Sequence, residues 1–190
     1  MRSRILSLSL PGLLVCLSVT GCRNAESAAP QVQAERGPLV TSGGAVFEVE
    51  NPDFPTPMNT ELKAVFELRD AARNPEGGQP QLGTMARYLN MHARHGVPAE
   101  NLKVAGVVHA GGAFAVVSDE RYRQEHGVDN PNKDVIAEII AAGGQLVLCG
   151  QSAAARGIAR EDLLPGVQIA LSAMTALTVL QQEGYEVILW

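Results

Sequence analysis

Apolar residues along this chain fall into short runs that alternate with stretches of helical spacing, each closed by glycine, proline or asparagine. Leu62-Lys63-Ala64-Val65-Phe66-Glu67-Leu68 reads as a first strand. From Leu82 to His95 the apolar positions Leu82, Met85, Ala86, Leu89 and Ala93 recur at helical spacing. Leu102 to His109 is a β-branched run with the character of a strand buried on both faces. A helix is expected over Ala113 to His126, ended by Gly127. Asn130-Pro131 then has the form of an N-cap followed by proline at the first helical position, opening a helix through Ile140 that Gly143-Gly144 closes. Leu146 to Cys149 is the next strand, Ser152 to Arg156 a short helix, and Val167 to Leu171 a strand. Ala173 to Glu183 is a helix and Glu186 to Leu189 a final strand. Strands alternating with helices predict an α/β domain over residues 60–190, built on a parallel sheet with helices on both faces.

The periodic pattern breaks down upstream of residue 60. Residues 45–59, with Ala45-Val46-Phe47-Glu48-Val49 and then Asn51-Pro52, read as an arm that packs on the domain or on a neighbouring molecule. Residues 22–44 are polar, contain proline and lack any period, which is the composition of a flexible tether. Residues 1–21 open with Arg2 and Arg4 before an apolar stretch from Ile5 to Val19, the pattern of a secretory signal. That stretch is short for a membrane span, and Pro11-Gly12 interrupts it. Val19-Thr20-Gly21-Cys22 resembles the lipobox of bacterial lipoproteins, in which the cysteine is lipidated and becomes the first residue of the mature chain. The resemblance implies a membrane anchor at Cys22 and a place in the cell envelope facing the periplasm. With Arg23 following Cys22, rather than aspartate, it implies the outer membrane over the inner one.

Cysteine usage then simplifies. Cys16 leaves with the signal and Cys22 carries lipid, so Cys149 remains as a single thiol with no intramolecular partner. Losing Arg2 and Arg4 leaves 13 basic against 20 acidic side chains, a net charge of −7 on the mature chain. An acidic protein of this kind has no electrostatic reason to bind nucleic acid. Aromatic residues make up only 4% of the chain, so the core must be aliphatic.

In a parallel sheet, ligands bind beyond the carboxyl ends of the strands. Three polar side chains stand there: His109, Cys149 and Ser172, each the first polar residue after an apolar run. Each also has a plainer reading. His109 is read equally well as a satisfied strand-end histidine, Ser172 as the cap of the helix that follows, and Cys149 as a small buried hydrophobe. For Cys149 the sequence favours chemistry. Gly150 lets the chain turn sharply, and a helix begins at once, a setting that favours the thiolate. We therefore take Cys149 and His109 as candidate catalytic residues sharing one crevice, with Cys149 open to solvent. Gly111, Gly112, Gly150, Gln151 and Ser172 are candidate ligand contacts. His92 and His95 are three apart on one helix but lack a third ligand nearby, so no metal site is expected. No nucleotide fingerprint, Walker sequence or nucleophile elbow is present, and no cofactor is implied.

These residues also carry a resemblance. Val107-Val108-His109, Asn130-Pro131-Asn132, Val147-Leu148-Cys149-Gly150-Gln151-Ser152, Ala155-Arg156-Gly157-Ile158, Asp162-Leu163-Leu164-Pro165-Gly166-Val167 and Ala170-Leu171-Ser172-Ala173-Met174-Thr175-Ala176-Leu177 resemble the DsrE/DsrF-like family over roughly residues 60–190. The resemblance implies a flavodoxin-like sheet of about five parallel strands and a homo-oligomer, a trimer or hexamer. It also implies sulfur-relay chemistry, in which a cysteine at the position of Cys149 carries a persulfide. The partner would be a sulfur-relay protein or a small sulfur compound. The alternative is a non-catalytic ligand-binding or assembly module.

Overall fold

The computed structural model describes residues 33–189. The signal, Cys22 and the first part of the tether lie outside the described residues. Five strands and five α-helices follow one another as β1 (Leu62–Leu68), α1 (Pro80–Arg94), β2 (Leu102–Val108), α2 (Asp119–His126), α3 (Lys133–Ala141), β3 (Gln145–Cys149), α4 (Gly150–Ala155), β4 (Gln168–Ala170), α5 (Ala173–Gln182) and β5 (Glu186–Ile188). All the strand pairings are parallel, in the order β4-β3-β2-β1-β5.

That order explains the layers. The steps β1 to β2 to β3 to β4 all run in one direction, so right-handed crossovers put their helices on one face. The step from β4 back past β1 to β5 runs the other way and puts α5 on the opposite face. The two cores match. Leu82, Met85 and Leu89 of α1 and Ile136 and Ile139 of α3 bury Phe66, Leu68, Val104, Val108, Leu146 and Leu148. Ala176 and Leu180 of α5 bury Val65, Ala105, Val107 and Val147. Side chains alternate along each strand, so each of the three central strands feeds both cores.

Several local expectations shift. The helix expected over Ala113 to His126 is two pieces, a 3-10 stretch at Ala110–Val116 and then α2. Between them Val117 is extended and bridges to Leu163, while Ser118 caps α2 by accepting from the Arg121 amide at 3.3 Å. Ser118-Asp119-Glu120 is a stronger helix start than the alanines before it, and a β-branched valine tolerates the extended step. Asn130 is not the N-cap of α3; that place falls two residues later, at Asn132. The buried Asn130 side chain instead donates to Ala115 O (3.0 Å) and Val117 O (2.6 Å) and accepts from the Asn132 amide (2.9 Å). Asn132 in turn accepts from the Gln79 amide at 2.7 Å, joining the starts of α1 and α3. The short helix after β3 starts at Gly150, two residues earlier than expected.

The stretch 33–44 is not a free tether. Val40 is fully buried, and Glu35 pairs with Val46 in an antiparallel bridge. Asn90 of α1, itself fully buried, accepts from the Leu39 and Val40 amides and donates to Val40 O, Gly43 O and Gly44 O. Gly44 has φ +66, and a Cβ there would stand 2.4 Å from Ala86 C of α1, so only glycine permits this approach. Lack of periodicity in sequence meant lack of regular structure here, not lack of packing. From Phe47 onward the arm is largely exposed, with Phe54 86% accessible. It returns to the domain where the Asn101 side chain donates to Met58 O at 2.9 Å.

Candidate functional site

The chain leaves β3 toward α4, whose Ala153 joins the core of α1 and α3, but it leaves the neighbouring β4 toward α5 on the other face. Where adjacent strands send their connections to opposite faces, a crevice opens beyond their carboxyl ends. Cys149 is the last residue of β3 and stands at that point.

The sulfur is surrounded by donors. Burial raises its pKa, but hydrogen bonds from the Ser152 hydroxyl and from the backbone amides of Ser152, Ala173 and Gln151 outweigh burial and leave the thiol below its ordinary value. Two of these amides come from the first turn of α4 and one from the first residue of α5, so the crevice between two diverging helices supplies them. Gly150 makes this possible: a Cβ there would lie 2.6 Å from Ala170 O of β4. The residue is, however, only 6% exposed, so the expectation of an open thiol is corrected. The chain that wraps the sulfur to supply the donors also covers it.

His109 follows β2, the neighbour of β3, one residue beyond the register pair Val108↔Leu148, as Cys149 is on β3. Its ring is drawn the other way, with Nε2 2.8 Å from Glu67 Oε1 on β1. The groups that hold the thiol down are thus hydroxyl and amide donors, with His109 turned to a carboxylate. The link between the two strand ends is Ser152, whose Oγ accepts from the Ala110 amide at 3.0 Å. Ala110 has φ +47, a left-handed conformation that is strained for a residue with a Cβ.

The remaining candidates have separate places. Ser172 caps α5, accepting from the Thr175 amide at 3.0 Å. Gln151 is exposed and donates to Leu171 O at 3.4 Å. Gly111 and Gly112 do not join this crevice. A Cβ on Gly112 would stand 2.3 Å from Leu68 O, and one on Gly111 2.9 Å from the Ala71 amide nitrogen, so both glycines serve close packing. They line a cavity of about 240 Å³ with Phe114, Tyr122 and His126, to which neither Cys149 nor His109 contributes. His92 is also occupied, with Nδ1 2.8 Å from Tyr88 O and its ring packed at a tilt against Tyr88.

Two site residues escaped the sequence reading. Glu67 is the only acidic residue within the first apolar strand, and that isolation was a usable signal. Ser152 stands three residues after Cys149, where a first-turn side chain turns back toward the residue before its helix.

A family model described as the DsrE/DsrF-like family matches residues 77–190. Among solved structures, the chain is similar to the protein of unknown function MTH1491 from Methanobacterium thermoautotrophicum. The two are 18% identical with a TM-score of 0.48, over 67% of this chain and 98% of that one. It is also similar to the ychN protein from E. coli, at 16% identity and a TM-score of 0.47, over 67% and 97% of the two chains. No curated relative matches the chain in sequence.

Proposed function

Because this chain belongs to the DsrE/DsrF-like family, we propose that it is a sulfur carrier that holds sulfane sulfur as a persulfide on Cys149. The observation that supports this most is the convergence of one hydroxyl and three amide donors on the Cys149 sulfur, which favours the thiolate despite burial. Sulfur exchange proceeds through a thiolate nucleophile, and the same donors stabilise the anionic persulfide that results. A cysteine residue only 6% exposed favours a slender donor, such as the end of an alkyl persulfide, over the broad surface of a folded protein.

The carrier works at the cell envelope. Cleavage before Cys22 and lipidation of that residue anchor it to a membrane, the outer one by the residue at position 23, with the domain facing the periplasm. Cys22→Ala moves the protein to a soluble or uncleaved form, and recovery of wild-type protein in the cytosol with Met1 retained would sink this placement.

The direct test is intact mass after exposure to cysteine persulfide. Wild type gains one sulfur atom, a reductant removes it, and Cys149→Ala gains none. A wild-type mass that stays unchanged refutes the carrier reading.

A second reading, an assembly subunit, is favoured by the apolar residues of the arm that meet solvent in the single chain: Phe47 at 60%, Val49 at 62% and Phe54 at 86% exposure. Here the arm clasps a second copy in a homo-oligomer. Deleting residues 47–58 then lowers the mass in solution while leaving sulfur uptake intact. An unchanged mass removes this reading.

A further inference from the structure

We propose that the arm is a membrane seat: Phe47, Val49 and Phe54, with Met91 of α1, rest in the interfacial layer of the bilayer that holds Cys22, and the edge of the sheet that carries Cys149 is thereby turned toward water. The inference rests on the envelope-anchor reading and adds which side of the domain meets the membrane. It assigns the arm to lipid rather than to a second copy of the chain.

The first observation is that the exposed apolar side chains gather in one place. Phe47, Val49, Pro52 and Thr56 of the arm line a cavity of about 370 Å³ together with Met91 and His95 at the end of α1. Phe54, the most exposed large apolar residue of the described chain, lies between Pro52 and Thr56 on the same loop. A contiguous exposed apolar patch marks an interaction surface, whereas scattered residues mark nothing.

The second observation is where the chain coming from the anchor enters the fold. Glu35 exchanges backbone hydrogen bonds with Val46 at 2.9 and 2.8 Å, one residue before Phe47. Arg94, in the last turn of α1, donates to Gly37 O at 2.9 Å and to Glu35 Oε2 at 2.8 Å. The entry point and the apolar patch are therefore fastened to the same helix turn. Glu35 follows Cys22 by 13 residues, so it stands at most about 45 Å from the lipidated residue, whatever path the chain takes between them. An anchor this close makes contact with the bilayer intramolecular, and a shallow apolar contact too weak to recruit a free protein then suffices.

Charge decides the kind of contact. Phe47 and Val49 alternate with Glu48 and Glu50, and Asp53 precedes Phe54, all three carboxylates being exposed. Of the cations close by, Arg94 is paired with Glu35 at 2.8 Å. This patch has no excess of positive charge to draw it to anionic headgroups, so apolar burial seats it. The carboxylates stay in water and hold the apolar side chains at the interface rather than in the hydrocarbon core.

Topology then fixes what faces away. β1 and β2 are parallel, so α1 between them runs back, and its last turn lies at the amino edge of the sheet. Asn101, the residue before β2, donates to Met58 O at that same edge. Cys149 ends β3, at the carboxyl edge. The seven residues of β2 separate the two edges, a distance of about 20 Å. A domain seated on its amino edge presents the sulfur site to the aqueous side, where water-soluble persulfides arrive, and not to donors dissolved in the membrane.

The test uses the full lipidated chain with Trp190→Phe, which removes its one native tryptophan. The chain is held in vesicles of phosphatidylethanolamine and phosphatidylglycerol with brominated acyl chains, and a single tryptophan is introduced at each site in turn. Bromine quenches an indole that reaches the acyl boundary, so Phe54→Trp and Phe47→Trp each lose at least about half of their emission. Leu171→Trp is the control, an equally exposed site just beyond β4 at the carboxyl edge, and it keeps its emission. High salt leaves both results unchanged, because charge does not seat the patch. Full emission from Phe54→Trp and Phe47→Trp in vesicle-bound protein overturns the inference and leaves the anchor reading intact. If the detergent-solubilised chain is then an oligomer that deletion of residues 47–58 dissociates, the arm belongs to a second copy instead. Equal quenching at positions 54 and 171 overturns the orientation. Wild type recovered without lipid on Cys22 removes the anchor reading and this inference together.

Discussion

Ser152 faces the Cys149 sulfur with two donors, its hydroxyl and its own backbone amide, and both hold the thiol pKa down. Only the hydroxyl can be removed by mutation, which separates the two contributions. Ser152→Ala deletes the side-chain donor, and the midpoint of pH-dependent alkylation at Cys149 rises. The variant also frees the Ala110 amide, so the 3-10 stretch beyond it exchanges its amide hydrogens faster. A midpoint that stays put would mean that the three amides alone set the thiolate.

Asn90 is where the N-terminal segment is locked down. Each end of its fully buried amide serves the 39–44 backbone. Asn90→Leu is expected to destabilise the domain by about 2–3 kcal/mol, because buried Val40 loses the partner of its amide and one of the two donors to its carbonyl. Urea unfolding measures the loss, and limited proteolysis near residue 40 should speed up in parallel. Lost stability without faster cleavage would locate the damage in α1 instead.

Glu138 of α3 gives the same segment a pH dependence. Its burial alone would raise the pKa, but the Ser42 and Thr41 amides and hydroxyls donate to it at 2.6 to 3.0 Å, and the net direction is down. A carboxyl lowered in the folded state contributes fully above its unfolded value of about 4.3. That contribution fades as pH falls through the lower folded value. Cleavage of residues 33–46 by an acid-active protease should therefore accelerate below about pH 4, and Glu138→Gln should abolish that acceleration. An identical acid response in the variant would remove Glu138 as the cause.

The layers were legible in the sequence for a physical reason. A β-branched run such as Leu102–Val108 buries both faces, and α1 shows a single apolar stripe, so period and length alone identify each. Segments governed by side-chain hydrogen bonds were not legible. Asn130 matches an N-cap in isolation, and only the folded chain brings Ala115 and Val117 within its reach. The docked 33–46 segment depends on Asn90 and Glu138, which are 46 to 97 residues away from their partners in sequence. At the site, the strand ends gave Cys149 and His109. Glu67 became visible only when β1 was seen to lie against β2. Gly111-Gly112 misled because a glycine pair has the same appearance whether it cradles a ligand or admits a neighbouring strand.

Gly150 tests whether the donor cage around Cys149 is built by close packing. Its backbone has an ordinary negative φ, so alanine is conformationally acceptable there, and the obstacle is steric: the new Cβ meets Ala170 O at 2.6 Å and Leu171 O at 3.3 Å. Both are backbone atoms, one at the end of β4 and one in the turn to α5, so neither yields by a rotamer change. Gly150→Ala must lift the first turn of α4 away from β4, carrying the Gln151 and Ser152 amides with it, while the Ala173 amide stays with α5. Two effects at the sulfur follow from this one displacement. The thiol pKa rises as donors withdraw, and the sulfur becomes more exposed as its cover opens. Alkylation should therefore slow at neutral pH yet become faster than wild type at high pH, where both thiols are ionised. Gly157→Ala is the control. Gly157 has φ +59 and open space around it, so alanine there strains the backbone by about 1 kcal/mol without touching the cage. The control should lower the unfolding temperature and leave the alkylation profile unchanged. A crossing of the two pH profiles in Gly150→Ala, absent from Gly157→Ala, is the expected result, and a uniform change at every pH would show that the cage does not depend on this contact.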